Sequence, residues 1–346
     1  MAYGVWRMAY GILEFVIKTL LRIGINTAIG VVLIYFWLQL VDVEEILHAL
    51  ESFNPLILIP TILLMAAATI SKAIRFKILL SKVVKIPSFK IISLTFLSQL
   101  LSFTIPIRLG ELTKGVYLST EYGLHFGKAV VWVFVDRFLD FWAVLGLSLI
   151  LLLVVPTNLP QEVTLTLFAA VFVASVMVVL IVLKPEFFKK IAEMLSGLLV
   201  FKVLKEKFLA FSNFIIECFS LLRGSPRRNL TVFLLTILGT LMEGLSWFVV
   251  LTAFIPGLSI FKAWLGSMLN SLSFIIPAAP GYVGSAEAAG LAVFSYGLGL
   301  DKTFVSAATI VIHGLSLVFI LGTGIYGLYM LKFNLGLVWK KVLRRE

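Results

Sequence analysis

The chain of 346 residues contains one cysteine, Cys218, which excludes an intramolecular disulfide framework and any multi-cysteine metal site. That thiol is expected to pack as a small apolar side chain. Histidine is nearly as scarce: His48, His125 and His313 are scattered, and neither HExxH, a multi-carboxylate metal motif nor a GxSxG elbow occurs. No metal, cofactor or enzymatic activity is expected, the remaining catalytic alternative being a membrane transferase built on Asp136 or Glu111. Charge is thin as well. Charged residues make up 14% of the chain against 60% hydrophobic, and the mean hydropathy of +1.07 lies far outside the range of a soluble globular domain.

What is abundant is apolar sequence. Runs of about 18 or more apolar residues can each cross a hydrocarbon core of about 30 Å, so the expected fold is an all-helical, polytopic membrane protein. Six full spans are predicted, at about 22–41, 56–78, 126–155, 162–183, 229–254 and 303–331. The first follows Arg7, Lys18 and Arg22 without a small-residue cleavage site, so it is expected to stay uncleaved, and no soluble domain is expected beside the membrane unit 1–346. The net charge of +11 gathers in loops: Lys72, Arg75, Lys77, Lys82, Lys85 and Lys90 after the second span, Lys184 to Arg228 after the fourth, and Lys340, Lys341, Arg344 and Arg345 at the end. This pattern fits cytoplasmic loops beside anionic lipid headgroups, and not a nucleic-acid partner. The connections around Asp42, Pro156 and Pro256 hold almost no basic residues and read as external. Both termini then lie in the cytoplasm, with the plasma membrane as the expected location. Residues 184–228 read as a cytoplasmic linker whose alternating basic and apolar residues, Phe187, Phe188, Ile191 and Leu195 among them, suit a helix lying in the headgroup layer.

Two further apolar segments, about 89–120 and 260–297, are broken. LSFTIPIRLGE (101–111) returns in outline as LSFIIPAAPGYVGSAE (272–287); Phe89-Lys90 matches Phe261-Lys262, Pro106 matches Pro277, and Tyr122-Gly123-Leu124 matches Tyr296-Gly297-Leu298. The basic loops stay on one side only if each broken segment enters the membrane and returns to the side it left. The first would open from the cytoplasm and the second from outside, so 56–183 and 229–331 form an inverted repeat with two re-entrant hairpins. Proline and glycine break the helix, and unwound backbone at membrane depth is tolerated only where it is buried or lines a polar cavity. Each returning half-helix would aim its amide-rich amino end at the break, where an anion such as phosphate is favoured.

Charged side chains at depth are costly and mark candidate sites. Arg108, Gly110, Glu111 and Lys114 flank the first break, and Pro280, Gly281, Gly284 and Glu287 the second. Arg108 offers a planar fork for a phosphate; the equal alternative is an internal pair with Glu111 or Glu287. In VDRFLD (135–140), Asp136 and Asp140 stand one helical turn apart with Arg137 within reach of Asp140, and the three serve either charge coupling or an ion-pair brace. Glu243 sits mid-span without a local partner, so it either takes up a proton, as a coupling group would, or pairs across helices. His313 reads as a packing histidine.

RLGELTKGVYL (108–118), VDRFLD and PAAPGYVGSAEAA (277–289) resemble the lysylphosphatidylglycerol-synthase transmembrane-region family, also called flippase-like, over nearly the whole chain. Members commonly read Arg-x-Gly-Glu, Glu-Arg and Pro-Gly-Gly-Leu-Gly-x-x-Glu. Asp136 departs from the second motif and Tyr282 from the third, the latter stiffening the outer hairpin. The resemblance implies movement of an anionic or aminoacylated phospholipid, or a polyprenyl-phosphate-linked lipid, between leaflets, with membrane lipids as the partners. The alternatives are a small-solute or ion secondary transporter and a non-transporting scaffold.

Overall fold

A computed structural model describes residues 24–104, 110–158, 160–197, 201–220, 225–273 and 279–333. They are helical throughout, with no strand among them. In chain order the helices are α1 (Gly24–Leu40), α2 (Val43–Glu51), α3 (Leu58–Leu80), α4 (Ser88–Thr104), α5 (Leu112–Tyr122), α6 (Phe126–Leu152) and α7 (Gln161–Leu183), then α8 (Pro185–Ser196), α9 (Lys202–Ser220), α10 (Pro226–Phe254), α11 (Ile260–Ser273), α12 (Ser285–Gly290) and α13 (Lys302–Leu331). A π-helical turn, Leu291–Gly297, continues α12. Local chemistry sets several boundaries. Asp42 accepts from the amides of Glu44 and Glu45 to start α2, Asp301 does the same for α13, and Pro226 opens α10 where its missing N–H costs nothing.

Three stretches are long and apolar enough to cross a bilayer by length and composition: Pro55–Leu80, Pro226–Phe254 and Lys302–Leu331. A fourth is α1 with α2, bent by 84° at their break. The protein is therefore an all-helical, multi-pass membrane protein. The expected span at 126–155 corresponds to α6, whose Lys128, Asp136, Arg137 and Asp140 are too many charges for composition alone to mark it.

Helix α3 packs along α10, and α4 along α13. Lipid tails are as apolar as leucine, so close backbone approach supplies the attraction between such helices. A Cβ on Gly324 would come within 2.3 Å of Leu100, and one on Gly327 within 2.4 Å of the Ser93 carbonyl.

The buried apolar side chains form two clusters at opposite ends of the bundle. One joins the end of α3 (Phe76, Leu80), the start of α4 (Ile91, Leu94), the end of α5 (Tyr117, Leu118), the start of α6 (Ala129, Trp132) and Val232 near the start of α10. The other joins the end of α10 (Val250, Phe254), the start of α11 (Ala263, Leu265), the π-helical turn (Leu291, Phe294) and the start of α13 (Val305, Ala308). Thus α4 leaves and α5 returns at one end, while α11 leaves and the turn after α12 returns at the other. Between the ends the last turn of α4 meets the second hairpin: the Phe103 ring lies 5.8 Å from the Tyr282 ring, and a Cβ on Gly281 would be 3.3 Å from Phe103.

Two expectations need correction. Lys72, Arg75 and Lys77 are not loop residues but belong to α3, where Arg75 is wholly buried; the run of cations after the second span is shorter by those three. The segment at 184–223 is not one helix but α8 and α9. Phe188 of α8 and Phe214 of α9 cover the first apolar cluster, so part of their apolar surface is spent on the protein itself.

Candidate functional site

Six charged side chains from α3, the α5 end of the first hairpin and α6 converge inside the bundle. Arg75 sends Nε and Nη2 to Asp136 Oδ1 (2.9 and 2.5 Å), Nη1 to Asp140 Oδ1 (2.5 Å), and Nη2 also to the Asp136 carbonyl (3.1 Å). Lys114 Nζ, 1% exposed, reaches Asp136 Oδ2 (3.3 Å) and Glu111 Oε2 (3.2 Å) and lies 5.1 Å above the Phe76 ring. Arg137 contacts Glu111 Oε2 (3.3 Å), Asp140 Oδ2 (3.4 Å) and Asp136 Oδ2 (3.6 Å). Three cations thus meet three carboxylates with no excess, which is the condition for keeping ions out of water without a large penalty. Arg137 differs from the others. It is 34% exposed, it lines the central cavity, and its Nε and the facing Glu111 Oε2 make no well-aligned hydrogen bond.

The cavity, about 340 Å³, lies where the hairpin tips meet α3, α10 and α13. Its wall combines Phe103, Trp247 and Phe319 with Gln99 and Ser102 of the first hairpin, Asn270 and Ser271 of the second, and Glu111, Arg137, Glu243 and His313. Three of these polar atoms are buried without a partner: Gln99 Oε1, Ser102 Oγ and Asn270 Oδ1. Turning either amide over only exchanges which of its ends is orphaned. A buried polar atom without a partner costs about 1–3 kcal/mol, and here three of them edge a cavity.

The sequence-derived residues separate into groups. Glu111, Lys114, Asp136, Arg137 and Asp140 come together in the ion cage, and Arg137 is within reach of Asp140 as helix spacing suggests. Lys114 is spent on two carboxylates and is absent from the cavity wall. Glu243 lies apart and pairs across helices with Lys72 at 2.6 Å. The Gly110 carbonyl accepts from Ser98 Oγ (3.1 Å), and a Cβ at Gly110 would fall 2.1 Å from the Ser102 nitrogen, so the returning chain lies against α4. Pro280, Gly281 and Gly284 form the second tip, with φ of +73° at Gly281 and +84° at Gly284. Glu287 caps that tip by accepting from the Gly284 amide (2.8 Å), so its own carboxylate occupies the amino end of α12. His313 contacts Glu287 Oε1 through Nδ1 (2.6 Å) and the Gly281 carbonyl through Nε2 (2.7 Å), which makes it a bridge and not merely packing. Pro106, Arg108 and Pro277 lie outside the described residues. Among the described residues, no three His, Cys, Asp or Glu side chains are grouped to hold a metal.

Arg75, Lys72, Gln99 and Asn270 were missed by sequence reasoning. For the amides a signal existed: Gln99 stands two residues before Leu101 and Asn270 two before Leu272, the same register of the repeated phrase. For Arg75 none did, because its partner Asp136 is 61 residues away.

Residues 23–324 match the family model described as the lysylphosphatidylglycerol synthase TM region. No curated protein matches the chain.

Proposed function

Because the chain belongs to the lysylphosphatidylglycerol synthase transmembrane-region family, we propose that it is a lipid transporter, moving a phosphate-bearing phospholipid, anionic or aminoacylated, or a polyprenyl-phosphate-linked lipid between leaflets. The observation that carries this is the polar cavity between the two hairpin tips, with unpartnered acceptors on both hairpins and Arg137 on its wall. A lipid headgroup brings what that wall lacks: hydroxyl or ammonium hydrogens for Gln99 and Asn270, and a phosphate oxygen for the Arg137 Nε, which makes no well-aligned hydrogen bond. Acyl chains stay in the bilayer, so only the headgroup needs shelter. Arg108, outside the described residues, is the further cation proposed for that phosphate.

In this scheme the chain has six full spans and two re-entrant hairpins related as an inverted repeat, the arrangement of many alternating-access transporters. Support comes from the opposite ends at which the hairpins open. The plasma membrane is the proposed site, with both termini in the cytoplasm. The headgroup would rest between the tips, and exposure of the tips to one side and then the other would carry it across.

Reconstitution tests this directly. Purified protein in liposomes should accelerate leaflet exchange of at least one fluorescent lipid in a panel covering those headgroups, and Gln99→Leu with Asn270→Leu should slow it at least tenfold. Uptake of a soluble anion without exchange of any lipid would replace the lipid by a small solute.

A further inference from the structure

We propose that Glu287 and His313 together form a binding site for one proton, that this proton latches the second hairpin tip to α13, and that it is the ion coupled to headgroup movement. The coupling rests on the transport function proposed above; the latch does not.

Hydrogen bookkeeping makes the site. The Gly281 carbonyl can only accept, so His313 Nε2, 2.7 Å away, must carry a hydrogen. A neutral imidazole with its hydrogen on Nε2 presents a bare lone pair at Nδ1. That lone pair faces Glu287 Oε1 at 2.6 Å, a distance that two acceptors do not tolerate. One more proton is required, on Nδ1 or on the carboxyl, and either placement satisfies the contact. The other carboxyl oxygen, Oε2, is engaged by the Gly284 amide at 2.8 Å. One proton therefore ties Gly281, Gly284 and Glu287 of the tip to α13.

The tip is built to depend on that tie. Gly281 and Gly284 have positive φ, and so does Tyr282 at +58°, one of two such non-glycine residues among those described. A tyrosine stays in left-handed backbone only while its surroundings hold it there. Its ring meets Phe103 of the other hairpin at 5.8 Å, and Phe103 in turn meets the His313 ring at 6.4 Å. Loss of the proton sets a lone pair against a carboxylate and frees the tip at the point where the two hairpins touch.

Charges elsewhere on the cavity wall do not substitute for it. Arg137 is held by Glu111 and Asp140, and Glu243 by Lys72. The Tyr282 phenol belongs to the tip itself. Among the described residues no lysine or arginine forms a salt bridge with Glu287, whose charge is met by His313. Glu243, whose isolation in sequence left open either a coupling proton or a pair across helices, is paired with Lys72.

The test uses full-length protein in liposomes on a Cys218→Ser background, with nitroxides attached at Val283→Cys on the tip and Leu56→Cys at the start of Pro55–Leu80. Both positions are exposed. The distance between them should shift with pH along a one-proton titration curve. Glu287→Gln, whose amide can donate to Nδ1 and accept from Gly284, should hold the latched distance at every pH. His313→Leu should show the released distance at every pH, and His313→Ala, which likewise offers no donor, provides the same comparison should the leucine variant fail to fold. Lipid exchange should respond to an imposed pH gradient in the parent and lose that response in Glu287→Gln. A distance that titrates while no lipid exchanges would support the latch and sink the transport function. A distance that stays flat, or that titrates equally in Glu287→Gln, would overturn the proton site while lipid exchange stood.

Discussion

Replacing Arg75 by methionine should unbalance the ion cage and reveal what it contributes. The side chain is fully buried and makes every guanidinium contact with Asp136, Asp140 and Thr236. Methionine fills much of the same volume but leaves three carboxylates facing two cations, Lys114 and Arg137, neither of which reaches Asp136 Oδ1 at salt-bridge distance. Removing one partner of a buried pair costs about 3–5 kcal/mol because the other charge remains buried. The expected loss is of that size, measured as unfolding in mixed micelles by denaturing detergent. A double-mutant cycle sharpens the test. Asp136→Asn alone should also destabilise, whereas Arg75→Met with Asp136→Asn should recover about half the combined loss, since the second change removes the charge that the first orphaned. A loss below about 1 kcal/mol in Arg75→Met, or strict additivity in the double mutant, would refute the cage as a buried, coupled network.

Other outcomes follow from the same geometry. Asn270→Leu and Gln99→Leu each remove an unpartnered buried acceptor, so stability should hold or rise by about 1–2 kcal/mol while lipid exchange falls; a clear drop in thermal stability would show that those oxygens are partnered after all. Gly284→Ala should destabilise by about 1–3 kcal/mol, because φ is +84° and the new Cβ would press on the Gly30 carbonyl at 2.1 Å; Gly30→Ala should do likewise, and a neutral result in thermal unfolding would mean that α1 does not rest on the tip. On a Cys218→Ser background, cysteines placed at Lys85 and at Glu121 should be labelled by impermeant reagent from the same face, since both border the first apolar cluster's end of the bundle; labelling from opposite faces would show that the first hairpin crosses.

Much of this protein is legible in its sequence. Apolar runs and proline or glycine breaks are local properties of composition, and the bilayer reads them locally: α3, α10 and α13 lie where hydropathy places them, and α4, α5, α11 and α12 lie on the two broken segments. The three family motifs are equally local, and the match over residues 23–324 follows them. Partnership is not local. A lone glutamate in a span announces a cost but not what meets it, so Glu243 could be assigned its partner Lys72, 171 residues away, only once α3 lay against α10. Arg75 looked like a loop cation because charge near a span end reads as interfacial; packing buried it, since the carboxylates of Asp136 and Asp140 on α6 replace the water that its guanidinium would otherwise need. His313, a lone histidine within an apolar span, looked like a packing residue, and became a bridge when the second tip folded back to bring Glu287 and the Gly281 carbonyl to its two nitrogens. The helices were decided by which residues dissolve in lipid, and the site by which distant charges and hydrogen-bonding groups the tertiary packing brought into contact.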